Sequence, residues 1–118
     1  LKGMKLYRKD PSHGGIDFYL KEGDTFKLGE EVFRKVQYGF WREKFYVGMV
    51  SVKSLPDWQT LKKAVFLQFG EGAKPFHNKD EYIWFGQDTI MALQYNEILK
   101  IGIFYIRSES MAKKMESN

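Results

Sequence analysis

The chain has 118 residues, 19 Lys and Arg against 15 Asp and Glu, a net charge of +4 and no cysteine. That length is one domain, large enough to bury a core without staples, and the missing thiols exclude disulfides, thiolate metal sites, iron–sulfur clusters and cysteine nucleophiles. Acidic and basic residues alternate through both halves, so the charge falls short of the one-sided basic footprint of a nucleic-acid binder.

In chain order, Lys5 to Lys9 is a short strand candidate, and Asp10-Pro11-Ser12-His13-Gly14-Gly15 reads as a turn. Ile16 to Lys21 alternates Ile16, Phe18 and Leu20 against Asp17, Tyr19 and Lys21, which predicts a half-buried strand. After a turn at Glu22-Gly23-Asp24, Thr25 to Leu28 is a brief strand stopped at Gly29. Val32 to Trp41 alternates with Val32, Val36, Tyr38 and Phe40 on one side, interrupted at Arg34. A hairpin tip at Trp41-Arg42-Glu43-Lys44 leads to Phe45–Lys53, where Phe45, Val47 and Met49 oppose Tyr46, Val50 and Val52.

Ser54, Pro56 and Asp57 form a helix start, as cap, first-turn proline and dipole partner. Trp58, Leu61, Val65 and Phe69 then share one stripe, and Gly70 is the expected stop. Glu81 to Phe85, Thr89 to Tyr95 and Lys100 to Arg107 read as three further strands with short links, hence antiparallel. The tail from Ser108 either packs as a short helix through Met111 and Met115 or frays.

The expected fold is a single two-layer α+β domain over residues 1–118: a mainly antiparallel sheet of about six strands carrying the Leu55–Phe69 helix on one face, with the short C-terminal helix as an option. The expected core is Phe18, Val36, Phe40, Val47, Trp58, Leu61, Val65, Phe69, Ile83, Phe85, Leu93 and Ile103. Ten Phe, seven Tyr and three Trp supply its bulk, each able to bury about 150–250 Å².

The strings YGFWREKFYVGMVSV (Tyr38 to Val52), LQFGEG (Leu67 to Gly72), YIWFG (Tyr82 to Gly86) and LQYNE (Leu93 to Glu97), in that order, resemble a family of small uncharacterised (hypothetical) bacterial proteins. The resemblance spans roughly Met4 to Tyr105. Such proteins are often exported to the cell envelope, so it implies a periplasmic setting, with a cytoplasmic one as the alternative. It implies no activity and brings no catalytic or binding residues. The chain opens on Leu1 rather than Met, from which a further natural N-terminal segment is expected. No apolar run reaches the ~20 residues of a membrane-spanning helix, so no membrane span is expected.

Catalytic constellations are thin. His77 with Asp80 and Glu81 offers one imidazole and two carboxylates, the alternative reading being a small hydrolase or ligand-modifying enzyme, but the spacing fits no ligand motif. Ser12-His13 lacks a nucleophile elbow, Glu30-Glu31 are edge carboxylates, and no phosphate loop is present. Arg42, Lys44 and Tyr46 interleave base and ring as single-strand binders do, yet the set is too small, and no nucleic-acid partner is expected. No cofactor or metal is expected. The favoured function is a non-enzymatic binding module using an aromatic sheet face formed by Trp41, Arg42, Tyr46, Tyr82, Trp84 and Tyr95. Its partner would be another protein, a small apolar ligand or a second copy of the chain.

Overall fold

In this computed structural model, which describes residues 4–21 and 23–116, the order of elements is β1 (Met4–Asp10), β2 (Ile16–Lys21), β3 (Phe26–Leu28), β4 (Glu31–Phe33), β5 (Val36–Trp41), β6 (Lys44–Val52), α1 (Leu55–Phe69), β7 (Glu81–Phe85), β8 (Thr89–Asn96), β9 (Ile101–Ser108) and α2 (Glu109–Glu116). Seven strands make one antiparallel sheet in the order β1-β2-β5-β6-β9-β8-β7, and β3 with β4 forms a separate small hairpin. Two local meanders, β1-β2-β5-β6 and β7-β8-β9, therefore meet where β6 pairs with β9, from Val47↔Arg107 to Val52↔Gly102.

The helix α1 forms where its signals lie. Ser54 Oγ accepts the Asp57 amide at 3.2 Å, Pro56 sits in the first turn, and the Gly70 amide closes on the Phe66 carbonyl at 2.9 Å with φ +81°. That left-handed φ is the conformation glycine adopts without strain. Trp58, Leu61 and Val65 are fully buried against Val50, Leu93 and Phe104. Gly102 makes this approach possible, since a Cβ there would stand 2.5 Å from Trp58 Cε3.

The tail folds as α2 and covers the opposite face, which adds a third layer to the expected two. Met111 and Met115 pack with Ile16, Phe18, Trp41 and Val47. The start of α2 is tied to the β7–β8 turn: Asp88 accepts from the Ser110 amide at 3.1 Å and from Ser110 Oγ at 3.2 Å, and Ser108 Oγ accepts the Met111 amide at 3.3 Å.

The main sheet has seven strands, close to the expected six or so. Three expectations need correction. The Val32–Trp41 run divides into β4 and β5 at Arg34-Lys35. The β5–β6 register shifts so that Gly39 faces Val47 while Phe40 faces Phe45, leaving Tyr46 as the extra residue. This bulge turns Phe45 onto the α1 face, away from Val47 and Met49. Of the expected core, Phe85 is 73% exposed at the end of the outer strand β7, and Phe69 is partly open at the last turn of α1. Phe40, Ile83 and Ile103 are half-buried. Phe18, Val36, Val47, Trp58, Leu61, Val65 and Leu93 are buried as expected, joined by Phe104, Tyr82, Leu28 and Phe33.

Candidate functional site

On the α1 face the helix covers β7, β8, β9 and part of β6, through Tyr82, Leu93, Phe104 and Val50. The β3–β4 hairpin leans on α1 and inserts Leu28 and Phe33 into the same cluster. Short strands with a glycine turn at Gly29 (φ +60°) allow this fold-over, but three residues per strand reach only part of the way across the sheet. What remains between hairpin and sheet is a groove of about 320 Å³ lined by Phe26, Val36, Tyr38, Phe45, Gly48 and Ile106, among others.

Its floor has a clear origin. Tyr38, Gly48 and Ile106 occupy one row across β5, β6 and β9. Gly48 leaves a gap in that row: a Cβ there would meet only the Phe45 ring, at 3.7 Å. Phe45, half exposed, lies 6.5 Å from the Tyr38 ring and 5.8 Å from the Phe40 ring, and Tyr19 lies 5.6 Å from Phe40. The four rings extend the groove into a continuous aromatic surface that, among the described residues, no helix covers.

One polar pair borders this apolar wall. The Tyr38 hydroxyl donates to Asp24 Oδ2, and Asp24 Oδ1 accepts the Thr25 amide at 3.1 Å. Burial, the hydrogen bond to Asp24 and the Asp24 charge push the Tyr38 phenol up to about 12. The link holds the turn before β3, and with it the Phe26 wall, to the sheet.

The residues expected to share one aromatic face do not. Trp41 and Tyr82 are core residues, 4% and 7% exposed, on opposite sides of the sheet. The Arg42 guanidinium caps the Trp41 ring at 4.5 Å from an exposed turn with left-handed φ at Arg42 and Glu43. Tyr46 packs beside Trp41 on the α2 face. Trp84 donates through Nε1 to the Gly70 carbonyl at 3.1 Å, and Tyr95 stacks on Trp58 at 5.2 Å. Packing thus consumes most of this set.

The alternative site is also dispersed. His77 lies exposed in the loop before β7. Asp80 turns inward, accepting from Trp58 Nε1 and Lys62 Nζ, each at 2.8 Å. Burial alone would raise its carboxyl, but hydrogen bonds from Lys62, Trp58 and Tyr82 and the Lys62 charge outweigh that and hold it below the ordinary value of 3.8. Glu81 pairs across to Gln94, on the face opposite Tyr82. Among the described residues no group of three or more His, Asp or Glu side chains could hold a metal ion. The His13 side chain lies outside what the structure describes, as does Glu22 of the second turn.

No protein-family model, curated protein or solved structure matches the chain, so the family resemblance carried by Tyr38–Val52 and Tyr82–Gly86 is neither supported nor opposed by them. Among the described residues no helix is long and apolar enough to cross a membrane.

Proposed function

We propose that the protein is a non-enzymatic binding module and that the groove between the β3–β4 hairpin and the sheet takes a small apolar ligand. The observation that carries this reading is the side-chain-free floor at Gly48, walled by Phe26, Val36, Phe45 and Ile106, with Tyr38–Asp24 as the polar border. A volume of about 320 Å³ is at the small end of the range for small-molecule sites, and a mostly apolar lining with one oriented polar pair is their usual make-up. The groove is preferred to the hydrolase alternative because His77 is exposed, Asp80 is taken up by Trp58 and Lys62, and Glu81 lies on the face opposite Tyr82. An envelope setting belongs to the same proposal and rests on the motif resemblance alone.

The neutral fluorophore N-phenyl-1-naphthylamine tests the groove directly. The parent is expected to enhance its emission saturably. Gly48→Leu fills the floor without straining the backbone and is expected to weaken binding about tenfold or more while leaving the fold intact by circular dichroism. A parent that does not bind the probe, or a folded Gly48→Leu that binds it equally well, overturns the proposal.

A further inference from the structure

The antiparallel order brings four strand ends side by side at one end of the sheet. Leu20 pairs with Gln37, Val36 with Val50, and Val52 with Gly102, so the end of β2, the start of β5, the end of β6 and the start of β9 are successive neighbours. Each carries a lysine at its limit: Lys21 ends β2, Lys35 precedes β5, Lys53 follows β6 and Lys100 precedes β9. Lys5 on β1 continues the row one position in from the end. Among the described residues none of these five has a carboxylate at ion-pair distance. Lys35 and Lys53 contact one another, and that contact holds the Lys35 ammonium below its usual value. Glu31 and Asp57 line the same cleft but neither pairs with these lysines, and with Arg34 beside them the cationic groups outnumber the acidic ones, which makes a site that attracts anions.

The same end carries apolar residues in an unusual place. In the β8–β9 hairpin, Ile98 is 91% exposed and Leu99 is 65% exposed. Asn96 Oδ1 accepts both of their amides, at 3.0 and 2.9 Å, and Lys100 has φ +56°. The tip is therefore held in one conformation that points two neighbouring aliphatic side chains outward, where turn chemistry favours small polar residues. Leu55, 46% exposed, lies one helical turn before Trp58, which stacks on Tyr95 at the end of β8. The acidic groups to set against the row are Glu97 beside Ile98, Asp57 in the first turn of α1, Glu30 and Glu31 of the small hairpin and, by its place in the sequence, Glu22 after Lys21, while Asp80 is engaged by Lys62 and Asp24 by Tyr38.

We propose that this end of the sheet docks on an anionic lipid surface, the lysine row meeting the headgroups while Ile98 and Leu99 enter the interfacial layer. Basic residues alone would suit any polyanion. The protruding aliphatic pair decides for lipid, because it gains by leaving water at a bilayer and has no apolar partner on a nucleic-acid backbone. This docking is independent of the groove, which opens on the α1 face beside Gly48.

Co-sedimentation with phosphatidylcholine vesicles, with and without a third of phosphatidylglycerol, tests it at low and physiological salt. The parent is expected to bind the anionic vesicles and release as salt rises. Ile98→Asp with Leu99→Asp should weaken binding about tenfold or more, and Lys35→Glu with Lys53→Glu should do the same. All four positions are exposed or at strand limits, so circular dichroism should match the parent. No binding to anionic vesicles at low salt, equal binding to neutral ones, or indifference to the Ile98/Leu99 change overturns the proposal. So does tighter binding to a single-stranded RNA than to anionic vesicles.

Discussion

Replacing Gly102 with Ala tests the packing of α1 on the sheet at its tightest point. The new methyl carbon would stand 2.5 Å from Trp58 Cε3 and 3.1 Å from Val52 Cγ2, against about 3.5–4.0 Å for carbon atoms in favourable contact. The indole would have to retreat by roughly 1 Å. It is 1% exposed, its Nε1 is bonded to Asp80 at 2.8 Å and its face is stacked on Tyr95, so retreat costs packing, a hydrogen bond or both. Overpacking of this kind costs about 1–3 kcal/mol. Gly48→Ala is the matched control on the same face: it also shortens the list of unfolded conformers, which favours Ala by about 0.4–1 kcal/mol, and its methyl meets only the Phe45 ring, at an unstrained 3.7 Å. Urea denaturation should place Gly102→Ala about 2 kcal/mol below Gly48→Ala. With an unfolding entropy of about 2.1 cal/mol/K per residue over 118 residues, that gap corresponds to about 8 °C in Tm. A Gly102→Ala protein within about 0.5 kcal/mol of the control would refute the close packing of Trp58 on Gly102.

Two pH responses follow from the polar pairs. The raised Tyr38 phenol contributes stability that is complete below pH 10 and is lost as pH climbs through about 12; burial raises the Tyr105 phenol as well, so ultraviolet titration should show two late tyrosines, and Asp24→Asn should bring only the Tyr38 one earlier. The depressed Asp80 carboxyl contributes stability that is complete above the ordinary carboxylate value and is lost as pH falls through its folded value; Asp80→Asn should flatten this acid limb of the urea midpoint, and Lys62→Met should shift it toward higher pH.

Periodicity and capping made α1 and most strands readable, because Ser54, Pro56 and Gly70 act locally and Ile16-Phe18 alternates without interruption. The bulge at Tyr46 was not readable, since a single extra residue is decided by the partner strand and reverses the face of Phe45. That reversal adds Phe45 to the surface of Tyr19, Tyr38 and Phe40, while Trp41 and Tyr82 are taken into the core by α2 and α1. The groove escaped for a related reason: Gly48 reads as a weak strand residue until Tyr38 and Ile106 are known to flank it. The lysine row was hidden because its members are scattered along the chain and meet only through strand order.

The β6–β9 junction has a kinetic consequence. Val52 pairs with a residue 50 positions away (102 − 52) and Val47 with one 60 away (107 − 47), whereas every other ladder of the main sheet closes over a much shorter loop. Each meander can zip on its own, but the central suture must wait for the ends of a long chain segment to meet, and α1 is the splint that shortens the search. Truncating Val50 or Phe104 is therefore expected to slow folding, and truncations in the outer hairpins to act mainly by speeding unfolding.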